Sequence, residues 1–396
     1  MEKNDYYIGL ELGSSSIKAI AGFVETEQVQ VLQAIELPCL GLENGLIIDQ
    51  DETIKSIKTV IARLEKALNT TISEVSICLP PYSLLCIEDT GSTNTIDGSD
   101  IIRHVDTTNI LTAMRKRTLA DNDLKIIDIV PEIFILDNGE RYVSEPLGKI
   151  SKVLSIKASI YAMSERVINQ FVGCVKKAQI NVKNAVISPY AGALYLAGNK
   201  AIPNAYILVD IGHSLTTISH IDRATKVIDS SIIKYGGYDI TRAISERFNI
   251  SYEKAEELKV TYGIDRNLNF NCCVYDKINL DQLADVITKK LNSLLESVEK
   301  TIKEFGLSSE KLPLVLTGGT TWLNQIKKIF ATELEVDVVE YNLLTIGARD
   351  YSLINTLGLI KYCAMQPKIN EEETITTSVN RVNQKSSRNY RFDEEL

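Results

Sequence analysis

The chain has 396 residues, long enough for two or more domains with cores of their own. With 44% apolar and 24% charged residues, its composition is that of an ordinary globular protein. A net charge of −9 argues against non-specific nucleic-acid binding, which needs clustered Lys and Arg to neutralise phosphates.

No apolar run approaches the roughly 20 residues that span a bilayer, and the opening MEKNDYY lacks the pattern of a secretory signal. The seven cysteines, at 39, 78, 86, 174, 272, 273 and 363, are scattered and odd in number, which suggests reduced thiols in a cytoplasm. The adjacent pair Cys272-Cys273 lacks the spacing of metal ligands.

In chain order, Tyr6–Ile20 (YYIGLELGSSSIKAI) comes first. Tyr7, Ile8, Leu10 and Leu12 predict a strand that breaks at Gly13-Ser14-Ser15-Ser16 and resumes at Ile17. Small residues at such a break let backbone N–H groups and hydroxyls approach an anion, and Lys18 adds a charge nearby. Taken alone, the stretch is equally an unliganded polar hairpin. Asp49 or Asp51 then caps a helix to about Leu68, with Ile54, Ile57, Ile61, Leu64 and Leu68 on one face. Val75–Leu79 reads as a strand closed by Pro80-Pro81, so the first unit follows an α/β pattern.

Composition shifts between about Glu88 and Ile160, which reads as a small inserted subdomain. It holds a polar stretch at Asp89–Asp100, a helix at Ile101–Leu119, and strands at Ile126–Leu136 and Val153–Ile160. The turn signal Asp137-Asn138-Gly139 lies between those strands. Ser164 caps another amphipathic helix, and a strand at Val182–Ser188 and a helix at Tyr190–Ala197 follow.

From Tyr206 the opening order recurs. YILVDIGHSLTT is a second buried strand ending in Asp-x-Gly and a hydroxyl-bearing turn. Strands at Ala205–Asp210, Thr216–Ile221 and Lys226–Tyr235 lead to Gly236-Gly237 and a helix at Tyr238–Phe248. Glu256 and Lys259 share a face of a helix at Ser251–Gly263, a spacing that in isolation reads first as a solvated ion pair. A long helix over Leu280–Phe305 buries Leu283, Ile287, Leu291, Leu294, Val298 and Ile302. A strand at Leu312–Leu316 enters Gly318-Gly319, and a last helix covers about Thr345–Ala364. From Gln366 the sequence is polar and reads as a disordered tail. Two strand–turn–strand elements, each with an acid before a small-residue turn, suit a phosphate chain clamped from two sides with a metal between.

These motifs, IGLELGSSSIKA, VDIGHSLTT, GGYDIT, AEELKVTYG and LTGGTTWL, resemble in kind and order those of the actin/Hsp70/sugar-kinase superfamily. Within it, IVPEIFILDNGERYVSEPLG and VISPYAGALYLAG resemble the bacterial cell-division family FtsA, and the resemblance covers roughly residues 5–365. It implies a two-lobed, actin-like ATPase fold of the α/β class: duplicated RNase H-like domains with an FtsA-type inserted 1C subdomain. Domain 1 would take residues 1–87 and 161–204 around the insertion at 88–160. Domain 2A would take 205–235 and 311–365 around subdomain 2B at 236–310, with the tail at 366–396.

The resemblance also implies ATP and Mg²⁺. Gly13, Ser14, Ser15 and Ser16 would hold the β-phosphate with Lys18 as charge partner, and Gly212, His213 and Ser214 would face the γ-phosphate. Glu11 and Asp210 would hold the metal through its waters. Glu256 and Lys259 would flank ribose and adenine, with Gly236, Gly237, Gly318 and Gly319 admitting the backbone to the nucleotide. Slow or absent ATP turnover is expected, with nucleotide as a switch for self-association into actin-like filaments. The implied partners are other divisome proteins and the C-terminal tail of the tubulin-like FtsZ, for which Lys289 and Lys290 are the candidates. The implied place is the cytoplasmic face of the membrane at the division site.

Three departures from the family pattern stand out. Glu11 stands where many relatives carry Asp. His213 and Leu215 occupy a turn that is usually glycine-rich. The end, NYRFDEEL, lacks the basic amphipathic helix by which such relatives lie on a membrane. Two other readings share the motifs: a PilM-type pilus-assembly protein that binds a short peptide, and a small-molecule kinase. The kinase needs a catalytic Asp over a substrate pocket, for which no motif presents itself.

Overall fold

A computed structural model describes residues 6–117, 119, 121–264, 272–307, 311–343 and 345–366. The expected tail beyond Gln366 lies outside the described residues. The chain divides into a larger unit (residues 6–88, 119–130 and 159–366, less the gaps given) and a smaller one (89–117 and 131–158).

In the larger unit, β1 (Tyr7–Leu12), β2 (Ser16–Glu25) and β3 (Gln28–Pro38) form an antiparallel meander. A short hairpin of β4 (Leu42–Glu43) and β5 (Leu46–Ile47) leads into α1 (Gln50–Leu68), and β6 (Glu74–Leu79) returns parallel to β1. The Asp49 carboxylate accepts hydrogen bonds from Asp51 N and Glu52 N, both 3.0 Å, which fixes where α1 starts. The helix buries Ile57, Val60, Ile61 and Leu64 against this sheet. Each such side chain contributes about 1.5–3 kcal/mol.

Next come β7 (Leu85–Asn94), α2 (His104–Arg115), β8 (Leu124–Leu136), β9 (Arg141–Tyr142) and β10 (Val153–Ser164). The smaller unit is made from parts of these strands, in the sheet order β7-β10-β8-β9, and α2, which buries Ile110 and Met114. The sequence set the α2 helix at Ile101–Leu119. It is shorter because Asp106 folds back on the Arg103 N–H and starts the helix at His104.

α3 (Glu165–Lys177), β11 (Asn181–Ile187) and α4 (Ser188–Leu196) complete the first half, with β11 parallel to β6. Ser164 precedes α3 as expected, but its side chain makes no capping hydrogen bond.

The second half repeats the first. β12 (Tyr206–Ile211), β13 (Thr216–Asp222) and β14 (Lys226–Ile233) form another antiparallel meander. Beyond it lie α5 (Gly237–Phe248), α6 (Tyr252–Tyr262), β15 (Cys273–Tyr275), β16 (Ile278–Asn279) and α7 (Leu280–Glu304). β17 (Leu314–Thr317) then returns parallel to β12. The sheet orders β11-β6-β1-β2-β3 and β14-β13-β12-β17 contain the same four-strand unit with the same pairing senses. The duplication expected from the sequence is therefore a duplication of topology.

α8 (Ile326–Leu334) and α9 (Ile354–Met365) close the chain. The last helix does not begin at Thr345, where the sequence reading placed it. Gly347 adopts a left-handed conformation, and Asp350 caps a 3-10 turn at Tyr351–Leu353, accepting from Ser352 N at 2.8 Å. α9 is apolar on nearly every side because it is enclosed, packing on β1, β2, β6 and α4. None of the described helices is long and apolar enough to cross a membrane.

Candidate functional site

The two strand–turn–strand elements end in turns of one geometry. Gly13 N donates to Ser16 O at 3.0 Å, and Gly212 N donates to Leu215 O at 2.9 Å. Glu11 and Asp210 occupy equivalent positions, one residue before the end of β1 and of β12. Both turns line a single cavity of about 110 Å³ in the larger unit. From the first half it takes Glu11, Gly13, Ser14, Ser15, Ser16 and Lys18, and from the second Asp210, Gly212, His213, Ser214, Gly318 and Gly319. These are twelve of the positions singled out in the sequence.

Side chains that sequence reasoning missed join the halves. Asn355, near the start of α9, donates through Nδ2 to Glu11 Oε1 (3.1 Å) and Asp210 Oδ2 (2.9 Å). Thr356 Oγ1 donates to Glu11 Oε2 at 2.9 Å. Lys18 Nζ donates to Ser352 O at 2.9 Å and lies 3.8 Å from Glu11. Burial works against the Lys18 ammonium, but Glu11, Glu36, Asp210 and Asp350 outweigh it and raise the pKa. Asp210 is raised to about 6, first by burial and then by the like charge of Glu11, against the hydrogen bond from Asn355. The signal for Asn355 and Thr356 was present: two adjacent polar residues inside the apolar run of INTLGLIKYCAM, where buried polar groups need partners.

The second turn carries an orphan. Ser214 lines the cavity, yet its hydroxyl oxygen is buried with no hydrogen-bond partner in the described structure. Next to it, Leu215 turns its side chain onto Gly45, whose N–H donates to Ser14 Oγ at 2.9 Å. The half-buried His213 ring rests on Tyr238, centroids 5.5 Å apart. Burial lowers the His213 pKa, and Lys259 lowers it further. Gly318 has φ +90, and a Cβ there would overlap Asp210 Oδ1. Only glycine allows the strand to turn so close to that carboxylate.

Gly236, Gly237, Glu256 and Lys259 do not line this cavity; they form a network beside it. Gly237 N and Thr320 Oγ1 donate to Gly212 O at 3.0 and 2.9 Å. Lys259 Nζ, only 8% exposed, donates to Gly237 O (3.1 Å), Thr241 Oγ1 (2.8 Å) and Glu256 Oε2 (2.8 Å). Burial lowers its pKa, with Glu256 acting in the opposite direction. The Glu256–Lys259 pair is thus no solvated ion pair; it joins α6 to α5 behind the second turn. Lys289 is exposed on α7 and Lys290 partly buried, both remote in sequence from these turns.

Residues 207–352 match the family model "Cell division protein FtsA". The chain is 23% identical over 389 residues to cell division protein FtsA of Bacillus subtilis (strain 168), covering 93% of this chain and 86% of that protein. It is 25% identical over 378 residues to the Enterococcus faecalis protein of the same name, covering 92% and 84%. The family recognised from the motifs is the family these comparisons return. Among solved structures, the chain is similar to one titled "PilM-PilN type IV pilus biogenesis complex", with a TM-score of 0.62, 16% identity and coverage of 91% and 99%. It is also similar to ethanolamine utilization protein EutJ from Carboxydothermus hydrogenoformans, with a TM-score of 0.54, 16% identity and coverage of 90% and 89%. At such identities the likeness concerns the fold, and the chain has the actin-like fold.

Proposed function

We propose that this FtsA-like chain is a nucleotide-binding actin homologue of bacterial cell division, which takes ATP with Mg²⁺ in the cavity between its matched turns. The observation that carries this reading is the pairing of those turns, each with a carboxylate one residue before the strand ends, around one cavity. The buried Ser214 hydroxyl without a partner supports an anion there: a phosphate oxygen satisfies it, whereas an apolar ligand does not.

In this reading Gly13–Ser16 hold the β-phosphate and Gly212–Ser214 the γ-phosphate. Lys18 offsets their charge, and Glu11 and Asp210 hold the cation through its water shell. Bound Mg-ATP supplies a multiply charged group that both turns can grip. Asn355 keeps the two carboxylates in place by donating to both. Lys259, bonded to Gly237 O behind the turn, holds the edge on which ribose and adenine lie, with Glu256 beside it. His213, its pKa lowered and its ring against Tyr238, is neutral at pH 7.

The partner in this reading is the acidic tail of FtsZ. It would dock on α7 at Lys289 and Lys290, neither of which has an ion-pair partner among the described residues. Co-sedimentation with FtsZ polymers tests it. The wild-type chain should pellet with FtsZ, and a Lys289→Glu/Lys290→Glu variant should lose at least about tenfold in affinity without a change in melting temperature. Binding unaffected by this reversal, or binding of a pilus-protein peptide in its place, would count against the assignment.

A further inference from the structure

A second cavity, of about 120 Å³, lies in the larger unit and shares no lining residue with the first. Its walls come from the β2–β3 turn, the end of α4, the segment after Tyr341, and α9. One cation lines it. Lys361 of α9 is half-buried and has no hydrogen bond or ion-pair partner among the described residues. The chain leaves room for its ammonium: a Cβ on Gly198 would lie 2.7 Å from Nζ. Burial lowers the Lys361 pKa, and Glu27, exposed on the rim, acts in the opposite direction. Beside it, Tyr195 Oη and Thr345 Oγ1 are hydrogen-bonded to each other at 2.9 Å, which leaves one hydroxyl hydrogen of the pair to donate elsewhere. Leu196 and Ile346 supply apolar wall.

We infer that this cavity binds a single carboxylate on a short aliphatic stem, paired with the Lys361 ammonium. The charge arithmetic selects a carboxylate over a phosphate. One lysine balances one negative charge, whereas a phosphate dianion in a partly desolvated site needs several donors. Glu27 offsets part of the Lys361 charge, which weighs against a dianion more than against a monoanion. Leu196, Leu343 and Ile346 supply apolar wall for a short stem in a lining that is otherwise largely polar.

The test is a ligand-observed NMR titration of the full chain with glutamate capped at both ends. Capped glutamine, which differs only in charge, and inorganic phosphate are the comparisons. The expected result is saturable binding of capped glutamate, no binding of capped glutamine, and weaker binding of phosphate. Lys361→Met should lower the capped-glutamate affinity at least about tenfold, and Glu27→Gln should raise it by about threefold. The Glu27 change is on an exposed residue, so it keeps the test informative should Lys361→Met disturb folding. A butyrate arm separates two sources of the same group. Equal affinities point to a free small monocarboxylate, and at least about tenfold tighter binding of capped glutamate points to an acidic side chain of a bound peptide. The inference fails if the wild-type chain binds no carboxylate, if the capped amide binds as well as the acid, or if neither variant changes the affinity.

Discussion

Asp210 and Ser214 sit four residues apart on the second turn, and both are poorly satisfied without a ligand. Burial and Glu11 raise the Asp210 pKa to about 6 from an ordinary value near 4. The folded chain thus holds a proton there that the unfolded chain has released over this range. Stability from this group is fully present below about pH 4 and is lost as pH rises through about 6. Asp210→Asn should therefore raise the melting temperature of the nucleotide-free protein at pH 7.5, by an amount that shrinks towards pH 4. A lower melting temperature at pH 7.5 would contradict the assigned environment. Ser214→Ala removes a buried hydroxyl that bonds to nothing. It should leave the free protein as stable as before or more stable, by up to about 1–3 kcal/mol, while reducing stabilisation by ATP. Equal stabilisation of variant and wild type by ATP would separate Ser214 from the phosphate.

At the scale of elements, the site depends on α9, which carries Asn355 into the cavity while packing on α4. Gly358 allows that approach, because a Cβ there would collide with Ala191 O. Gly358→Ala should destabilise the fold by about 1–3 kcal/mol or more, measured by chemical denaturation; a neutral substitution would show that the helices are not in backbone contact. This helix also marks where sequence reading stopped. The turns at Gly13 and Gly212 were legible because strand alternation, small residues and acids are local signals. The start of α9 was misplaced at Thr345 although Gly347 and Asp350 are local break and cap signals, and the backbone follows them rather than continuing the helix. Asn355 was missed for another reason: a polar pair inside an apolar run signals that a partner is needed but not which one, and its partners lie 344 and 145 residues away. Lys259 was read as one half of an i,i+3 pair, and its burial against Gly237 and Thr241 emerged only with α5 packed beside α6.

For the whole molecule, one topology occurs twice, with the halves joined through their carboxylates by Asn355 and by Leu215 resting on Gly45. The cavity between the turns, about 110 Å³, is smaller than a nucleotide needs. In the proposed reading, entry of ATP would widen the cleft between the halves, and its phosphates would give both turns a shared anion. Such coupling of ligand to closure is what a nucleotide-dependent assembly switch requires. The most direct measurement is calorimetric titration of the purified chain with ATP, with and without Mg²⁺, for the wild type and Asp210→Ala. One saturable site per chain that strengthens with Mg²⁺ and disappears in the variant is the predicted result. No heat of binding in the wild type, or equal binding by the variant, would contradict it.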